Sequence, residues 1–169
     1  DIHSDIIQMN TQQVLKDIYQ SNETPSDNFL QIYSEKDFSD KYMLIVEDNE
    51  FNAEVLGEIL KSTGVHIDYA KNGQEAVDII TNTQKDYYNI ILMDIKMPVM
   101  DGYAAAKAIR SLSGNYYKNI PIVAMTAHAF ADDIRAAKRA GMDEHIAKPL
   151  DFKILMAILN KYLGNSSRL

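Results

Sequence analysis

Five polar side chains in this sequence end apolar runs, where a group without a task would be costly to keep. Glu47 and Asp48 follow "YMLIV", Asp94 follows "IILM", Thr126 follows "IVAM", and Lys148 follows "HIA" and precedes Pro149. Brought together, three carboxylates repel, at about 4 kcal/mol per pair for ~4 Å and an effective dielectric of about 20. Such a cluster holds a hard divalent cation, stays partly protonated, or does both. Oxygen ligands that leave room for water suit Mg²⁺. Zinc is a poor fit, because the chain has no Cys and none of its four His stands at a strand end beside the acids. Mg²⁺ commonly accompanies phosphate. Lys148 offers a positive charge to a phosphoryl oxygen and Thr126 offers a hydroxyl donor. Neither G-x-x-x-x-G-K-[ST] nor G-x-G-x-x-G occurs, so no nucleotide cradle is present. The set suits one phosphoryl group carried on a side chain, with Asp94 as a nucleophile able to form an aspartyl phosphate.

The elements that would gather these residues alternate strictly. "YMLIVED" reads as a buried strand and "FNAEVLGEILKSTG" as an amphipathic helix closed by Gly64. "VHIDYA" is a strand, "NG" at 72–73 a turn, and "QEAVDIITNT" a second helix. "YNIILMD" is an apolar strand and "GYAAAKAIRSL" a third helix. "IPIVAMTA" is a strand with Pro121 at its entry, where a missing N–H does least harm. "AFADDIRAAKRAG" is a fourth helix, "EHIAKP" a short fifth strand, and "DFKILMAILNKYLG" the last helix. Five strand–helix units imply a parallel sheet with helices on both faces. Right-handed crossovers bring every strand's C-terminal end to one edge, where ligands bind in doubly wound sheets.

Composition narrows the function classes. No apolar run approaches the ~20 residues of a membrane span. The net charge of −7 is uneven: residues 1–40 carry −6 and the rest −1. The body has no basic run, which argues against nucleic-acid binding. Residues 1–40 read as an acidic extension with a moderately helical stretch at 4–19, a polar linker around Pro25 and an apolar patch, "FLQIYS", at 29–34. The helical stretch is a connecting helix or a dimerising one. The chain lacks an initiating Met and a secretory leader, and it reads as a fragment of something longer. Residues 1–40 are too short for an ATP-binding kinase core, and no output domain is expected after the last helix. The expected division is an extension over 1–40, one domain over 41–165 and a tail over 166–169.

"LIVEDN" (44–49), "ILMDIKMPVMDGY" (91–103), "IVAMTA" (122–127) and "HIAKPL" (145–150), in this order, resemble the receiver domain of two-component response regulators. "MTAHAF…AGMDEHIAKPLD" is similar to receivers attached to hybrid histidine kinases. The resemblance implies an α/β, flavodoxin-like, doubly wound five-stranded parallel sheet of order 2-1-3-4-5. It implies that Asp94 accepts phosphate from a phosphohistidine, and that Mg²⁺ is held by Asp48, Asp94, Glu47 (largely through water) and the backbone carbonyl of Lys96. Lys148 would pair with the phosphoryl group, and Thr126 would swing to hydrogen-bond it. Partners would be a histidine kinase or a histidine phosphotransfer domain. A dimer is implied through the face of the fourth helix, fifth strand and last helix, or through the N-terminal helix. The expected compartment is the cytoplasm, with the parent chain free to be membrane-anchored. The segment itself would not be an enzyme.

Taken singly, these residues have blander readings. Glu47 and Asp48 suit a helix N-terminus, Asp94 a satisfied buried acid, Lys148 a surface lysine and Thr126 a strand position. Their coincidence at four strand ends decides for the site. His128 and His145 are not expected to ligate a metal. His145 stands where relatives often have Tyr or Phe, which puts the rotamer coupling to Thr126 in question or makes it pH-sensitive. Lys96 and His128 are expected to influence acyl-phosphate hydrolysis. A Mg²⁺-dependent phosphatase of the aspartyl-phosphate type would need a second acid where Lys96 stands. A receiver-like module that only binds is the other rival.

Overall fold

The computed structural model describes residues 37–127 and 130–164. The stretches 4–19 and 29–34, the tail and His128 lie outside them. In chain order the elements are β1 (Tyr42–Val46), α1 (Glu50–Leu60, continued by a 3-10 turn at Lys61–Thr63), β2 (His66–Ala70) and α2 (Gly73–Asn82). Then come β3 (Ile90–Asp94), α3 (Gly102–Ser111), α4 (Asn115–Asn119), β4 (Ile122–Thr126), α5 (Ala131–Arg139), β5 (Glu144–Ala147) and α6 (Phe152–Leu163). All four strand pairings are parallel, and the order is β2-β1-β3-β4-β5. This is the expected doubly wound sheet.

Strand side chains alternate between faces, and each face has its own core. Leu44, Val46, Ile91, Met93, Ile122 and Ala124 point to one. Met43, Ile45, Ile90, Leu92, Val123 and Met125 point to the other, under α1 and α6. Burial on both faces explains why β1, β3 and β4 read as continuous apolar runs. β2, at one edge, is exposed over most of its length.

Four of the helices start where side chains cap them. The oxygens of Asn49, Asn72, Asp101 and Asp151 accept from backbone N–H groups in the first turns of α1, α2, α3 and α6. Each cap satisfies donors that have no partner within the helix. The short α4 was not foreseen; five residues are too few to show a helical period.

Arg110 fastens the opposite end of the sheet. It donates to the carbonyls of Gly141 (2.8 Å), Tyr117 (2.7 Å) and Ile120 (2.8 Å) and pairs with Asp143 at 2.9 Å.

Candidate functional site

The C-terminal strand edge gathers the residues expected there. Carboxylate oxygens of Glu47, Asp48 and Asp94 lie within 4.8 Å of one another. Glu47 and Asp94 are buried and Asp48 is exposed. Lys148 lies between the two buried acids, 2.5 Å from Glu47 Oε2 and 2.7 Å from Asp94 Oδ2. Burial alone would pull the Lys148 ammonium down. The hydrogen bonds and charges of Asp94 and Glu47 outweigh it, and the net shift is upward from the ordinary lysine value.

Backbone geometry fixes the acids. Asp94 closes β3, and its Oδ1 accepts the Lys96 N–H at 3.2 Å. The loop beyond is folded tightly: Gly102 N–H donates to Ile95 O at 2.9 Å and Met100 N–H to Pro98 O at 2.8 Å. A side chain at Gly102 would put its Cβ 2.3 Å from the Asp94 carbonyl, so only glycine lets α3 start this close to the strand. Between Pro98 and Met100, Val99 has φ 68° and is 84% exposed. That backbone region is costly for a β-branched residue.

Thr126 is buried at the end of β4, and its carbonyl accepts the Lys148 N–H at 2.8 Å. The strand register thereby ties the lysine's backbone to the threonine's. Lys96 is exposed beside Asp94. His145 is half-buried on β5, paired in register with Ala124, two steps back from the Thr126–Ala147 pair.

Two features escaped the sequence reading. Asn52, on the first turn of α1, donates from Nδ2 to Glu47 Oε1 at 3.2 Å. In the sequence it is one polar residue in a helix and carries no signal of this contact. A groove of about 410 Å³ also borders the cluster, lined by Phe51, Val55 and Ile59 of α1, by Pro149 and Leu150, and by Glu47 and Lys148. The spacing of 51, 55 and 59 had marked the apolar stripe of α1 but not that part of it lines an open groove.

The donor set suits a hard cation: three carboxylates within reach of one another and no thiolate in the chain. The description "Response regulator receiver domain" matches residues 43–160. The chain is 41% identical over 122 residues to hybrid signal transduction histidine kinase G of Dictyostelium discoideum, covering 71% of this chain and 3% of that protein. It is 35% identical over 130 residues to the peroxide stress-activated histidine kinase mak1 of Schizosaccharomyces pombe, covering 75% of this chain and 8% of that protein. The chain thus spans less than a tenth of either relative's length. Among solved structures, the receiver domain of sensor histidine kinase PA1611 from Pseudomonas aeruginosa, with magnesium in its active-site cleft, is 35% identical with a TM-score of 0.65. That match covers 74% of this chain and 98% of the other. The receiver domain of Saccharomyces cerevisiae Ssk1, crystallised with the histidine phosphotransfer protein Ypd1, is 32% identical with a TM-score of 0.65. It covers 73% of this chain and 89% of the other. The chain belongs to the response regulator receiver domains of two-component signalling, and the acidic cluster of Glu47, Asp48 and Asp94 is consistent with a Mg²⁺-binding active site.

Proposed function

We propose that this domain takes a phosphoryl group from a phosphohistidine onto Asp94, within a hybrid histidine kinase phosphorelay. The observation that carries the reading is Lys148 bridging Glu47 and Asp94 inside a three-carboxylate cluster. Glu47, Asp48, Asp94 and the carbonyl of Lys96 would hold Mg²⁺. When bound, the ion neutralises charge on the transferring oxygens and on the acids. An Asp94 oxygen attacks phosphorus; the new P–O bond forms as the P–N bond breaks. The released electron pair returns to the imidazole nitrogen, which then takes up a proton. Lys148 exchanges a carboxylate oxygen for a phosphoryl oxygen, and the Thr126 hydroxyl donates to another. Asp94 is an acceptor, not a turnover catalyst.

The donor would be a histidine kinase or phosphotransfer domain resting on the apolar groove beside Lys148, as its position next to the acceptor favours. Lys96, His128 and His145 would tune hydrolysis or signal output. Replacing Lys96 or His128 by Ala should change the dephosphorylation rate, and an unchanged rate removes that residue from the proposal. A phosphatase reading is disfavoured because the position two after Asp94 is Lys96, which offers Asp94 an N–H and no second acid.

The test is intact mass after incubation with Mg²⁺ and phosphoramidate. The wild type should gain one phosphoryl group and Asp94→Asn none. No gain in the wild type, with Mg²⁺ bound, would favour a module that only binds.

A further inference from the structure

Glu47 is a buried acid on a long arm, and its two oxygens are held from different sides. Oε2 accepts Lys148 at 2.5 Å. Oε1 accepts the Asn49 N–H at 3.3 Å and Asn52 Nδ2 at 3.2 Å. The Glu47 side chain is only 3% exposed, so water cannot readily replace a lost donor. Asn52 is placed by the helix start itself, since its own N–H goes to the capping oxygen of Asn49 at 3.0 Å. The Asn49 cap therefore aims Asn52, and Asn52 fixes one end of the Glu47 carboxylate. The other end faces Lys148, which in turn faces Asp94.

We infer that Asn52 is a positioning residue for the phosphorylation site: through Glu47 it sets the place of Lys148 and the readiness of the acid cluster for a divalent cation. The inference rests on the receiver reading above. Glutamate has one more rotatable bond than aspartate, so at this position a clamp has more freedom to remove. Asn52 belongs to no apolar core and is exposed to solvent. Its replacement by Ala, a strong helix former, should leave the fold intact.

The experiment is a MgCl₂ titration followed by backbone amide shifts and calorimetry, on the wild type, Asn52→Ala, Glu47→Met and the double variant. Melting temperatures are recorded alongside. Asn52→Ala should weaken Mg²⁺ binding by about 3- to 10-fold, the net worth of one hydrogen bond to a carboxylate. In the Glu47→Met background the same change should have no further effect, because the oxygen that accepts from Asn52 is gone. With phosphoramidate, the half-saturating Mg²⁺ concentration should rise by the same factor while the plateau rate moves by less than about twofold. A dissociation constant for Asn52→Ala within twofold of the wild type would overturn the inference. So would an equal effect in both backgrounds, since Asn52 would then act by another route. A wild type that binds no Mg²⁺ would overturn the receiver reading itself, and this inference with it.

Discussion

Replacing Lys148 by Met tests whether one ammonium holds the site together. Its side chain is 25% exposed, while those of Glu47 and Asp94 are 3% and 10% exposed. Met fills the same volume beside the apolar groove but leaves two carboxylates facing each other. Their oxygens lie within 4.8 Å of each other; at that limit and an effective dielectric of about 20, the repulsion is at least about 3.5 kcal/mol. Breaking a buried pair by removing one partner typically costs about 3–5 kcal/mol. Urea unfolding at pH 7 without divalent cations, followed by far-UV circular dichroism because the chain has no Trp, should show Lys148→Met less stable by about 3–4 kcal/mol. Lower pH relieves the repulsion between two facing carboxylates, so the gap to the wild type should narrow from pH 7 toward pH 5. Mg²⁺ should narrow it too, since the cation no longer competes with an ammonium for Asp94; at about 100 times its dissociation constant, binding adds about 2.7 kcal/mol. A gap below about 1 kcal/mol, or one indifferent to both pH and Mg²⁺, would refute the reasoning.

Three further outcomes are expected. Arg110→Met should destabilise by at least about 3 kcal/mol, because three backbone carbonyls and Asp143 lose their shared donor; urea unfolding decides, and a loss under about 1 kcal/mol would mean that water satisfies these groups. Val99→Gly should stabilise by about 0.5–1 kcal/mol, the release of positive-φ strain at φ 68° less the entropy of a glycine; a thermal melt that falls instead would show that Val99 is unstrained there. Burial pushes the Tyr116 phenol up to about 12, and Lys148 is also shifted upward. Both groups hold their protons longer folded than unfolded, so stability should be level up to about pH 9.5 and decline through pH 12. Tyr116→Phe should shallow that decline, and an equally steep decline in the variant would exclude Tyr116 as a source.

The sheet was legible because parallel topology turns chain order into space. β1, β3 and β4 are apolar on both faces, so the first polar residue after each run marks the strand's end. Asp94, Thr126 and the Glu47–Asp48 pair were located by that logic alone, and Lys148 by its place after the short β5. Lateral contacts were not legible. Asn52 reaches Glu47 by a side-chain rotamer in the first turn of α1, and no periodicity encodes a rotamer. The left-handed backbone at Val99 was hidden because its residue type argues against the conformation it adopts. A buried strand can deliver a carboxylate to the sheet edge without help from its neighbours. Orienting that carboxylate requires the next elements to close in on it. Gly102 stands where a Cβ would meet the Asp94 carbonyl, and Asn52 stands where an amide meets Glu47. Position was therefore readable from one-dimensional pattern, while orientation, on which phosphoryl chemistry depends, is a property of contacts between elements.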